Sequence, residues 1–230
     1  MSGLTVGDLE FEVRRSGRRK TVQITVDRGG ELILTAPEDC PLSVMEEFVL
    51  EKRRWIYTKL AEKEALWGPA PSKEYVNGEG FLYLGRSYRL SLVDEQEVPV
   101  KLTHGRFRMR RKDAPRGEEH MRRWYREHAR PWIERKVERY AGRVDVEPAG
   151  VVVQELGYRW GSCGQGGALY FHWRSILFPP RIVEYIVVHE LVHLREPHHT
   201  PEFWLRLERA LPDYADRKRW LAENARAYDL

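Results

Sequence analysis

Three residues in one short apolar run carry the chemistry most readable in this chain: His189, Glu190 and His193, within Val187-Val188-His189-Glu190-Leu191-Val192-His193-Leu194. In a helix, residues four apart share a face, with Cβ atoms about 6 Å apart. Two imidazoles so placed can share one tetrahedral Zn²⁺ at roughly 2.0–2.1 Å each. Glu190 lies about 100° further round the helix, off the ligand row but near enough to a water on the ion to take its proton. This spacing belongs to zinc hydrolases, most often metallopeptidases.

The alternative is a pair of satisfied histidines on an ordinary helix, and the surroundings argue against it. Pro179 and Pro180 precede the run, where a missing N–H costs nothing at a helix start. Ile182, Val183, Ile186, Val187, Val188, Leu191, Val192 and Leu194 make the segment apolar nearly all round, which predicts a buried helix. Imidazoles and a carboxylate buried there are costly unless something pairs them. A catalytic zinc keeps three protein ligands and leaves its fourth position to water. Pro197 ends the helix near Glu196, and His198 and His199 follow at once. Thr200 then reads as an N-cap and Pro201 as a first helical residue. Either histidine could complete the ligand set; spacing does not choose between them.

Four strings of the sequence are similar to a known family. They are Tyr158-Arg159-Trp160-Gly161-Ser162-Cys163, Phe171-His172-Trp173-Arg174, the run from Tyr185 to Leu194, and His198-His199-Thr200-Pro201-Glu202-Phe203-Trp204. Together they resemble the YgjP-like metallopeptidase domain family, which is related to WLM and SprT-type zinc proteases. The similarity is strongest over residues 150–210. It also touches Arg14-Arg15-Ser16, Lys52-Arg53-Arg54-Trp55-Ile56 and Leu84-Gly85-Arg86-Ser87-Tyr88. The resemblance implies His189, His193 and His199 as ligands of one ion and Glu190 as general base. His198 stands where the family has Asn, and His172 where Asn is expected.

The elements that must position these residues follow from periodicity. Thr21–Val26 and Glu31–Ala36 alternate as a hairpin around Arg28-Gly29-Gly30, and a helix is predicted from Ser43 to about Lys63. Trp67–Pro71 reads as a linker. Strands are predicted at 81–84, 87–93, 98–102 and 106–110, a helix over 117–141, and strands at 145–156 and 168–173. One or two helices follow over 201–228. No internal repeat is visible. The fold class is α+β: residues 1–112 form a β-rich accessory region with a helix, and residues 113–230 a zincin-like metallopeptidase domain. In that domain the His-Glu helix is expected to pack on a small antiparallel sheet. Segments 151–163 or 168–174 could take an extended peptide at a sheet edge.

A chain of 230 residues with 42% hydrophobic content, eight Trp and eleven Tyr reads as globular. No apolar run approaches the roughly 18 residues of a membrane span, and the first residues lack a secretory signal pattern. Two distant cysteines, Cys40 and Cys163, argue against a disulfide framework, so a cytoplasmic location is expected. Net charge is only +4, but Arg14, Arg15, Arg18, Arg19 and Lys20 cluster, as do Arg106, Arg108, Arg110, Arg111, Lys112 and Arg116. Such clusters suit nucleic acid or polyphosphate; nearby acids such as Glu118, Glu119, Glu127 and Glu134 favour plain solvated faces.

The leading expectation is a zinc metallopeptidase acting on a peptide or protein, with Tyr158, Arg159, Trp160 and His172 as candidates for substrate contact. Ni²⁺, Co²⁺ or Fe²⁺ would suit the same nitrogens. A metal-dependent nucleotide pyrophosphatase is the first alternative. A DNA-associated protease or accessory module of SprT type is the second.

Overall fold

The computed structural model describes residues 2–26, 32–66, 73–156, 159–164 and 166–228. The chain divides into two compact units, Met1–Pro69 and Ala70–Leu230.

The first unit holds β1 (Ser2–Val6), β2 (Leu9–Ser16), β3 (Gln23–Val26), β4 (Leu32–Pro37) and α1 (Leu42–Leu66). Alternation builds it: Leu9, Phe11 and Val13 point into the core while Glu10 and Arg14 point out. Met45, Val49 and Ile56 of α1 close that core. The expected hairpin is present as antiparallel β3–β4, with Ile24 opposite Leu34. Its turn at 28–30 and the linker at 67–71 lie outside the described residues. Strands β1 and β2 add to the expected elements.

The second unit opens with β5 (Gly80–Tyr83), β6 (Arg86–Val93), β7 (Val100–Thr103), β8 (Arg106–Arg110) and α2 (Gly117–Val144). The expected division at 112/113 falls inside this unit. Phe81, Leu90, Phe107 and Met109 share one core with Met121, Trp124 and Tyr125 of α2, and the Phe107 and Trp124 rings meet edge-on at 4.7 Å.

The two four-stranded sheets repeat one another. Strand order is β1-β2-β4-β3 in the first and β5-β6-β8-β7 in the second, each with a parallel central pair flanked by antiparallel hairpins. Register repeats as well: Gly3, Glu12, Ile33 and Thr25 lie in one row, and Gly80, Arg89, Arg106 and Thr103 in its counterpart. Each sheet is followed by a helix carrying Arg-Arg-Trp, at 53–55 and 122–124. The repeat escapes sequence reading because pairing recurs while most side chains differ.

The rest of the second unit is β9 (Gly150–Gln154), β10 (Gly161–Cys163), β11 (Ala168–His172), α3 (Pro180–His193), α4 (Pro201–Ala210) and α5 (Tyr214–Asn224). The strand expected from residue 145 starts later, because α2 runs on to Val144 and ends at Asp145 in the left-handed conformation, φ 57°. The sheet beside α3 has order β10-β11-β9 and is mixed, not antiparallel as expected: β10 pairs antiparallel with β11, and β9 parallel. A hairpin joins β10 to β11, and β9 pairs on the far side of β11. Helix α3 is buried along its length, with Ile182, Val183, Val187, Val188, Leu191 and Val192 fully enclosed. It packs on α2, β10, α4 and α5. Glu184 ties three of these helices together through Lys136 (2.6 Å) and Arg217 (3.2 Å). No described helix is long and apolar enough to cross a membrane.

Candidate active site

His189 and His193 sit one turn apart in the last turns of α3, and His199 reaches back from the loop that precedes α4. The loop returns because α3 stops at His193 and α4 restarts at Pro201. Thr200 caps that restart, its hydroxyl accepting the Phe203 N–H at 3.3 Å, as expected from the sequence. The three rings form a near-equilateral triangle with centroid separations of 4.8, 4.9 and 4.7 Å. One ligand atom of each lies within 4.8 Å of the others. Phe203, fully buried, packs against all three at 4.6–4.9 Å.

The donor set fits a divalent ion. His193 Nδ1 donates to the Glu196 carbonyl at 3.0 Å, which leaves Nε2 as the lone-pair nitrogen. The Nε2 atoms of His189 and His199 lie 3.0 Å apart, and His189 Nδ1 is buried without a partner. Burial, then the neighbouring His193, His199 and Lys218, drives the His189 pKa down to about 3. Burial comes first in lowering His193 and His199 as well. All three imidazoles are therefore neutral at pH 7, the form that binds metal. His198 is exposed and is not part of the triangle. Of the two histidines left open by spacing, the structure brings His199 beside His189 and His193.

Glu190 is only 6% exposed and faces β10. Burial pushes its carboxyl up to about 8, against the opposing charge of Arg159. Gly161 makes this approach feasible: a Cβ there would lie 2.6 Å from both Cγ and Oε1 of Glu190. A cleft of about 670 Å³ joins Glu190 and the three histidines to Arg159, Ser162 and Cys163.

The other sequence candidates part company here. Arg159 lines the cleft. Tyr158 lies outside the described residues. Trp160 is half-buried and packs edge-on against the core residue Phe178 at 4.6 Å. His172 is 1% exposed; its Nδ1 accepts the Arg174 N–H, so Nε2 carries the proton donated to Glu155. Both nitrogens are used, and the ring does not line the cleft. Glu155 also accepts from Trp173 Nε1 at 2.8 Å. Burial alone would raise its carboxyl, but the Trp173 and His172 contacts together hold it below the usual range.

The family model for the YgjP-like metallopeptidase domain matches residues 20–224. The chain belongs to that family. A YgjP-like metallopeptidase domain implies a metal ion, and the histidine triangle is where this chain offers ligands. Among solved structures, the crystal structure of the metallopeptidase zymogen of Pyrococcus abyssi abylysin is similar at 19% identity, over 40% of this chain and 93% of that one, with a TM-score of 0.36. The comparison with curated proteins finds no match.

Proposed function

We propose that this YgjP-like chain is a zinc-dependent peptidase in which His189, His193 and His199 hold one Zn²⁺ and Glu190 is the general base. The observation that carries the reading is the convergence of three neutral imidazoles beside a buried carboxyl group in a single cleft. Bound there, zinc would supply Lewis-acid polarisation of the scissile carbonyl and a lowered pKa for the attacking water. Burial alone keeps the Glu190 carboxyl protonated at pH 7; the charge of a bound cation would lower its pKa, and the resulting carboxylate would take the water's proton and return it to the leaving amine. Arg159, on the cleft wall, is the side chain able to donate to the carbonyl oxygen as negative charge develops there.

The substrate is an extended peptide. Strand β10 is a sheet edge and lines the cleft, so its free backbone groups can pair with such a chain. Of the two segments suggested by the sequence, 168–174 is unsuitable, because β11 is paired on both sides. A nucleotide triphosphate fits less well: Arg159 is the single Lys or Arg among the described residues lining the cleft.

The test is a hydrolysis screen of zinc-loaded protein on a peptide library and a nucleoside triphosphate panel. One zinc per chain and peptide cleavage, abolished in His199→Ala, are expected. Phosphate or pyrophosphate release without peptide cleavage, or a wild-type protein that binds no transition metal, would overturn the proposal.

A further inference from the structure

The outward face of the β5–β8 sheet is cationic in a way its own fold does not require. Phe81, Leu90, Val100, Phe107 and Met109 point inward. Alternation therefore turns Arg89, Lys101, Arg106 and Arg108 to the other face. They lie in two adjacent rows, with Arg89 directly opposite Arg106 and Lys101 directly opposite Arg108. Their row-mates are small: Gly80 and Thr103 in the first, Ser91 in the second. The four strands contain no Asp or Glu. Among the described residues Arg106, Arg108 and Lys101 make no ion pair, and Arg89 donates only to the Gly78 carbonyl. Residues 80–112 carry eight basic and three acidic side chains, a surplus of five that exceeds the +4 of the whole chain.

The first sheet is an internal control. At the positions equivalent to Arg89, Arg106, Arg108 and Lys101 it holds Glu12, Ile33, Thr35 and Gln23. The same strand order and register thus form without a single cation at these four places. Like charges directly opposite in a sheet destabilise it. A local cost with no internal compensation points to an external ligand.

We propose that this face binds the sugar-phosphate backbone of a nucleic acid. The ligand must be a polyanion whose charges recur, since the cations recur along β8 and across three strands. No aromatic side chain stands on the face: Tyr88 packs inward on Phe107. Bases therefore have no stacking platform, and recognition is of phosphates, independent of sequence. No large exposed apolar side chain lies in these strands, as insertion into a lipid surface or the centre of a protein interface would need.

The test is fluorescence anisotropy of the full chain with a labelled 30-base-pair duplex and with a single strand of equal length, from 50 to 200 mM KCl. Four phosphate contacts predict a slope of log K against log salt of about −3.6 for the duplex. Replacing Arg106 and Arg108 by Thr should flatten it by about 2, equally for unrelated sequences, with peptide cleavage unchanged and the melting temperature no lower than that of wild type, since two like-charge pairs are relieved. Arg130→Gln with Arg219→Gln removes as much charge elsewhere and should leave the slope alone. No binding to either probe at 50 mM KCl overturns the proposal. So does equal weakening by the control variant, or displacement by polyglutamate or phosphatidylserine vesicles as readily as by unlabelled duplex.

Discussion

The ring of His199 lies along the face of Trp204, centroids 5.4 Å apart and planes inclined by 21°. Trp204 is itself stacked on Tyr214 at 5.7 Å, with Lys218 Nζ 4.0 Å from its centroid. His199 is the one member of the triangle outside α3 and the most exposed. His193 has a backbone carbonyl to hold its ring; His199 makes no hydrogen bond among the described residues except with His189. Stacking is therefore what orients it.

Trp204→Ala should weaken zinc retention about 10- to 100-fold, the usual scale for losing a group that orients a ligand. Trp204→Phe, which keeps a flat ring, should lose far less. Competition with a chromophoric chelator measures both, with far-UV circular dichroism to show that the fold is retained. Equal retention by Trp204→Ala and wild type would mean that the loop alone sets the ring.

Glu190→Gln separates base from ligand. The amide is isosteric and cannot take a proton, so peptide cleavage should fall by at least 10²- to 10⁴-fold while zinc stoichiometry stays at that of wild type. Single-turnover peptide hydrolysis alongside metal analysis reads the two quantities independently. Activity within a few-fold of wild type would assign the proton transfer to another group.

What was legible in the sequence was local. The start of α3 after Pro179, the Thr200 cap and the Pro201 start of α4 each depend on residues within a few positions, and each stands where expected. The fold class was legible too, because periods of two and 3.6 are read strand by strand and helix by helix. Pairing was not. Nothing near β9 says that it lies parallel to β11, and nothing near residue 112 says that Phe107 is covered by Trp124. His172 looked like a free polar group because its partner, Glu155, lies 17 residues away. Phe203 and Trp204 show no role by residue type alone, because the rings they pack against are brought to them by the fold. Their position in the first turn of a helix opening two residues after His199 is the signal the sequence offers.

Gly161→Ala tests the contact between β10 and Glu190. The added methyl would meet Cγ and Oε1 at 2.6 Å and Cδ at 2.8 Å, so the carboxyl must move. Misplacing a reacting group by about 1 Å costs on the order of 10²-fold in rate. The expected result is a fall of that size in kcat with zinc affinity unaltered. A variant with wild-type kcat would show that the carboxylate reaches its working position by another path.

The last prediction concerns stability and pH at Glu184, remote from the histidine triangle. Burial would raise this carboxyl, but the hydrogen bonds and charges of Lys136 and Arg217 together outweigh it and hold it below 4.5. An acid whose folded pKa is depressed stabilises the fold fully above its unfolded pKa and loses that contribution as pH falls through the folded value. The side chains of Glu184, Lys136 and Arg217 are 14, 21 and 13% exposed, so solvent screens the pair only weakly. Glu184→Gln leaves Lys136 without its carboxylate and Arg217 with Asp213 alone, and should cost about 3 kcal/mol at pH 7, a drop of roughly 6–12 °C in melting temperature. Below about pH 4.5 the unfolded chain takes up the proton first, and the gap between the two melting curves should close progressively as pH falls through the lower folded value, where wild type loses the charge as well. A gap that stayed constant from pH 7 to pH 3 would show that Glu184 acts through its shape and neutral hydrogen bonds, not through its charge.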